Sequence, residues 1–198
     1  METDPSLLAP YVALAQTYGK LERFDEAISQ YEALLAKSPD YLAGYMALGT
    51  IYDQLDDPEM AEKYYRKALE INNEFAPAAN NLAWNLAEKG GNIDEALGYA
   101  QIAKQRMPQN AAVMDTLGWI YYLKGSYLNA IAEFRDSVEL APDTATIHYH
   151  LGMAYYRNNQ LDAAKESLEN ALKIASDFKG AEEARKILEA IEATKTAQ

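Results

Sequence analysis

The 198 residues contain no cysteine and carry a net charge of −12, with 49% hydrophobic and 24% charged side chains. A disulfide framework and a thiolate metal site are thereby excluded, and the acidic field disfavours nucleic acid and anionic lipid headgroups as partners. No stretch approaches the roughly 18 apolar residues of a membrane span, and Met1 to Pro10 lacks the basic start and apolar run of a secretory signal, so a soluble chain without direct membrane insertion is expected.

Along the chain one skeleton returns every 34 residues, once stretched to 35. The first unit, about residues 8–41, places Leu14 and Ala15 together, Tyr18 three residues on, Ala27 in a second run and Pro39 at the close. The second, about 42–75, repeats the order as Leu48, Gly49, Tyr52 and Ala61, with Asp57 before Pro58 at a plausible helix start and Asn73 in place of the closing proline. The third, about 76–110, runs Leu82, Ala83, Leu86 and Ala96 to Pro108. Gly90 and Gly91 lengthen its turn by one residue, and Asn92 followed by Glu95 predicts a capping box. The fourth, about 111–144, gives Leu117, Gly118, Tyr121, Ala130 and Pro142, and the fifth, about 145–178, gives Leu151, Gly152, Tyr155 and Ala164, with Ser176 in the proline place. Leu34 and Ser137 stand where the other units hold a small residue. Last, over about 178–194, Phe178, Ala181, Ala184, Ile187, Leu188 and Ile191 form one apolar stripe between charged residues, as in an amphipathic capping helix.

Within each unit, apolar residues recur three or four apart through two runs of about a dozen residues separated by a polar break, which predicts a helix pair. The small residue after each leucine lets the paired backbones approach closely, where a bulky side chain would hold them apart. Pro39, Pro108 and Pro142 end the second helices and start the next unit. The five units then form one continuous array over residues 1–198.

This pattern resembles the tetratricopeptide repeat family, and it reads best in unit four, through Leu117, Gly118, Tyr121, Gly125, Tyr127, Ala130, Phe134 and Pro142. The resemblance covers roughly residues 8–178. It implies an all-α fold, a right-handed superhelical solenoid of five helix-turn-helix repeats plus the capping helix. It also implies that first helices line a concave groove through fixed positions of each unit. In units one and two those positions are plain: Ala9, Val12, Ala13 and Gln16, then Ala43, Met46, Ala47 and Thr50. In the later units they hold Asn80, Asn81 and Trp84, then Asp115, Trp119 and Tyr122, then Tyr149, His150, Met153, Tyr156 and Arg157. Both tryptophans of the chain thus fall on the groove side. These eleven residues are the candidate partner-binding set, because Trp, Tyr and Arg dominate interface hot spots. A tight superhelix could instead pack Trp84 and Trp119 as ordinary core, and His150 could be a helix-surface residue without a role.

A subclass of the family grips the C-terminal carboxylate of chaperone peptides with Lys, Asn and Arg at set positions. Here Val12, Gln16, Ala47, Pro77 and Asn81 fill those places, so carboxylate capture is disfavoured. Asp53, Glu88 and Asp115 near the middle of the groove point to an apolar, aromatic or somewhat basic protein or peptide partner. The phrases Asn81-Leu82-Ala83-Trp84, Asp115-Thr116-Leu117-Gly118-Trp119 and Ile147-His148-Tyr149-His150-Leu151-Gly152 resemble the C-terminal portion of long bacterial tetratricopeptide proteins, including lipoproteins of exopolysaccharide and exosortase systems. Asp4 and Pro5 fall where an earlier unit would close, which suggests a piece of a longer array.

Catalytic chemistry is not expected. No Gly-rich phosphate loop is present, and no nucleophile motif surrounds Ser126 or Ser137. His148 and His150, the only histidines, lie about 200° apart around a helix axis and cannot share one metal. Catalytic residues, cofactors and metals are therefore all expected to be none. The reading favoured by the sequence is a non-enzymatic interaction module whose aromatic C-terminal groove receives a partner segment. Two alternatives stand beside it: a self-assembling scaffold that stacks through an open N-terminal face, and an accessory domain of a bacterial envelope or exopolysaccharide system.

Overall fold

A computed structural model describes residues 5–196 as eleven α-helices, with no strand among the described residues. The helices are α1 (Pro5–Lys20), α2 (Phe24–Lys37), α3 (Leu42–Gln54), α4 (Pro58–Ile71), α5 (Ala76–Glu88), α6 (Ile93–Arg106), α7 (Ala111–Leu123), α8 (Tyr127–Leu140), α9 (Ala145–Arg157), α10 (Leu161–Ile174) and α11 (Ala181–Thr196). The expected helix pairs pack closely as α1 with α2 through α9 with α10, each second helix also meets the first helix of the next pair, and α11 packs on α10 and α9. First helices touch one another along the stack, α5 with α7 and α7 with α9, which places them on the inner face of a superhelical solenoid.

The recurring small residue has a steric cause. A methyl group added at Gly49 would come within 2.4 Å of the Tyr65 ring, one at Gly118 within 2.7 Å of Phe134, and one at Gly152 within 2.6 Å of Leu168. Each large partner lies sixteen residues downstream on the paired helix, and all three are fully buried. The helix pairs therefore close only because the first helix has no side chain, or a methyl, at the crossing. Ser137, in a slot that holds alanine in units two, three and five, is also fully buried, and its hydroxyl donates to the Ala111 carbonyl at 2.8 Å. That bond meets the need of a polar group in the core.

Two side-chain caps expected from the sequence are made, one of them only in part. The Asp57 side chain accepts from the Met60 amide at 3.1 Å, and Asn92 accepts from the Asp94 and Glu95 amides at 3.0 and 3.2 Å. The reciprocal half of the expected capping box is not made, because the Glu95 carboxylate turns to the Arg66 guanidinium of the preceding pair, 2.7 Å away. An ion pair between neighbouring units replaces a bond within the turn. At the N-terminal end, Asp4 lies outside the described residues and Pro5 is the first residue of α1. Leu14 is 42% exposed, although its counterparts Leu48, Leu82, Leu117 and Leu151 are all buried. Each of those four faces a preceding helix pair, and α1 has none among the described residues.

Candidate functional site: an aromatic groove on the inner helices

The inner faces of α5, α7 and α9 bring the sequence-selected rings together. Trp84 and Trp119, one repeat apart, have ring centroids 6.4 Å from each other. Trp119 stacks on Tyr122 one turn further along α7 at 4.9 Å, and on His150 of α9 at 4.6 Å. Arg157, at the end of α9, holds its guanidinium 6.0 Å from the Tyr122 ring centre and 5.2 Å from that of Tyr127, within cation–π range of both. Trp84, Trp119 and Tyr122 are half-buried, each keeping part of its ring on the surface.

Beneath them, His150 is 4% exposed. Its Nδ1 lies 2.8 Å from Asp115 Oδ1, and because a carboxylate only accepts, Nδ1 carries the proton. His150 is thus a buried floor residue oriented by Asp115, not a helix-surface histidine. Tyr149 is also buried, and Phe178 meets it edge-on at 5.7 Å. Burial pushes the Tyr149 phenol up to about 12 and raises that of Tyr122. Both stay neutral donors at physiological pH.

The remaining candidates lie at the margins. Asn81 donates to the Tyr65 hydroxyl at 3.1 Å, and Tyr65 in turn donates to Asp53 at 2.5 Å. Asn80 reaches only its neighbour, at 3.4 Å, and its amide oxygen is buried without a partner. Met153 and Tyr156 pack partly buried against the cluster joining α9, α10 and α11, so the capping helix occupies surface that the repeat pattern alone assigns to the groove.

Two residues outside the candidate set complete the site. Glu88, at the end of α5, accepts from Trp119 Nε1 at 2.8 Å and from Lys179 Nζ at 2.9 Å. Burial alone would raise its carboxyl, but the Lys179 ammonium and the indole N–H outweigh that and hold it below the ordinary carboxylate value. Lys179 belongs to the α10–α11 connection, 91 residues away in sequence. Gly180 beside it has φ +111° and sits so close to Tyr149 that an added methyl would fall 2.5 Å from the ring. The connection therefore lies flat against the groove's C-terminal end. Together Trp84, Glu88, Trp119, Tyr149, His150 and Lys179 surround a cavity of about 270 Å³. Glu88 was visible in the sequence as a groove carboxylate, whereas Lys179 has no counterpart in the repeat and no signal of its own.

Stacked helix pairs with an aromatic inner trough define a helical-repeat protein. Tetratricopeptide repeat models match residues 12–80 and 145–178, and a TPR repeat model matches 118–159. Together they span more than half of the chain, which belongs to the tetratricopeptide repeat family. Members of this family are in general protein-interaction scaffolds. The chain is 25% identical over 171 residues to a BBSome complex member BBS4 homolog of Drosophila melanogaster, covering 86% of this chain and 35% of that protein. It is 28% identical over 173 residues to Protein FlbA of Caulobacter vibrioides, covering 87% of this chain and 29% of that one. It thus spans about a third of the length of these two relatives. Among solved structures, YrrB, described as a TPR protein with an unusual peptide-binding site, superposes with a TM-score of 0.71 at 22% identity, over 89% of this chain and 91% of that one. That likeness is one of fold. No helix among the described residues is long and apolar enough to cross a membrane.

Proposed function

We propose that this chain is a non-enzymatic interaction module that receives a segment of a partner protein in the trough formed by α5, α7 and α9. The observation that carries the reading is the cavity of about 270 Å³ with two half-exposed tryptophans on its walls and a hydrogen-bonded carboxylate at its edge. Its rings are held by stacking and by the Asp115–His150 and Glu88–Trp119 bonds, so they need little reordering on binding and the entropic cost falls mainly on the partner. Peptides selected from a displayed library on the intact chain, then titrated by calorimetry against Trp84→Ala and Trp119→Ala, test the assignment. Each truncation is expected to weaken binding by about 1 to 4 kcal/mol, with helicity retained by circular dichroism. Unchanged affinity in both folded variants dismisses the trough as the binding face.

The uncovered Leu14 favours a second reading, in which copies of the chain associate through α1. Light scattering decides that point: a mass that rises with concentration supports it, and a constant monomer mass rejects it.

A further inference from the structure

We infer that the cavity beside Glu88 is a subsite for a lysine side chain of the bound partner segment, and that Lys179 is the chain's own occupant of the charge position. The inference rests on the trough being the binding face and adds to it the chemistry of the ligand.

Four observations carry it. The walls are aromatic, with Trp84, Trp119 and Tyr149 supplying the ring surface over which an alkyl ammonium is attracted. A single carboxylate, Glu88, lines the cavity, and Trp119 Nε1 fixes it from one side. Its second oxygen already holds a lysine ammonium, so the geometry accepts that group. Lys179 is nevertheless a loose occupant: its side chain is 89% exposed while that of Glu88 is 22% exposed. Only its tip reaches the site, and exposed ion pairs of this kind are readily exchanged.

The surroundings favour a cation over other ligands. A second cavity of about 490 Å³ shares Trp84, Glu88 and Lys179 with the first and adds Asp53 and Asp56. Asp56 is paired with Lys89, whereas Asp53, held by Tyr65 and Asn85, makes no ion pair among the described residues. Three carboxylates face two lysines there, on a chain of net charge −12. An anionic ligand meets uncompensated like charge, and a neutral side chain that displaced Lys179 would leave Glu88 without its counter-charge. A lysine replaces the ammonium and also fills the apolar space that the exposed Lys179 stem leaves open.

Both tryptophans of the chain lie at this site, so intrinsic fluorescence reads it directly. The probes are three blocked tripeptides, Leu-Lys-Leu, Leu-norleucine-Leu and Leu-Glu-Leu, titrated at fixed ionic strength into the whole chain and into Lys179→Ala, Glu88→Gln and Trp119→Ala. The lysine peptide is expected to bind about 3- to 30-fold more tightly than the norleucine peptide, and the glutamate peptide more weakly than both. Lys179→Ala removes the internal competitor and tightens the lysine peptide. Glu88→Gln keeps an acceptor for the indole and abolishes the preference for lysine. Equal affinity for the lysine and norleucine peptides, both lost in Trp119→Ala, overturns the cation subsite and leaves the trough standing. Weaker lysine binding in Lys179→Ala also overturns it. Absence of binding by any of the three peptides, together with failure of the library selection, overturns the trough and the subsite together.

Discussion

At the residue scale, the turns between paired helices show how far local chemistry could be read. The backbone enters the left-handed region once per unit, at Glu22 (φ 56°), Asp56 (54°), Gly90 (76°), Gly125 (74°) and Asn159 (60°), spaced like the repeat itself. Glycine adopts this conformation freely, asparagine and aspartate tolerate it, and glutamate is strained there. Glu22→Gly is therefore expected to stabilise the chain by about 0.5 to 1 kcal/mol, and Gly125→Ala to destabilise it by a similar amount, as read by urea denaturation. The crossing glycines act in the opposite sense to flexibility. Gly118→Ala forces a methyl against the fully buried Phe134 ring, and a loss of about 1 to 3 kcal/mol is expected in the same experiment. The crossing glycines were legible from the Leu-Gly pairs alone, and so was the Asn92 cap. The bonding of Glu95 to Arg66 was not, because nothing in a local window reveals that a side chain 29 residues away competes for the carboxylate.

At the element scale, each helix and its packed face follow from the 3.6-residue period, yet the connection between α10 and α11 does not. The apolar stripe read over about 178–194 is real, with Ala184, Ile187 and Ile191 buried, but the helix starts at Ala181, and Phe178 packs from the preceding loop. That loop carries Lys179 across to α5, a contact between two segments that share no repeat position. By contrast, the Asp115–His150 pair joins equivalent faces about one repeat apart, and that separation is the signal that could have found it. The cross-groove contact has a definite pH dependence. The Glu88 carboxyl is lower in the folded chain than its ordinary 4.5, so its contribution to stability is complete above that pH and is lost as pH falls through the depressed folded value. Tryptophan emission is expected to titrate below pH 4.5, as the acceptor of the Trp119 N–H is neutralised, and Glu88→Gln is expected to remove that transition. A transition that persists unchanged in the variant would assign it to another carboxyl.

At the scale of the whole molecule, stability is shared along a line, since each helix pair is covered only by its neighbours. One sequence position consequently has a different energetic weight at each place in the stack. Leu117, flanked by pairs on both sides, is 3% exposed, while Leu14 in the same register is 42% exposed. The period identifies both as core positions, because a repeating pattern contains no information about which unit has no preceding pair among the described residues. Leu117→Ala removes buried methyl groups and leaves a cavity, so a loss of about 2 to 5 kcal/mol is expected. Leu14→Ala should cost less, about 1 kcal/mol in the isolated chain, because 42% of its surface stays in water after folding. Denaturation of dilute protein measures both. If α1 docks against a second copy, the Leu14→Ala penalty must grow with protein concentration toward the Leu117→Ala value, since the lost contact then lies between chains. A penalty that stays small at every concentration means that this face is solvated in the isolated chain.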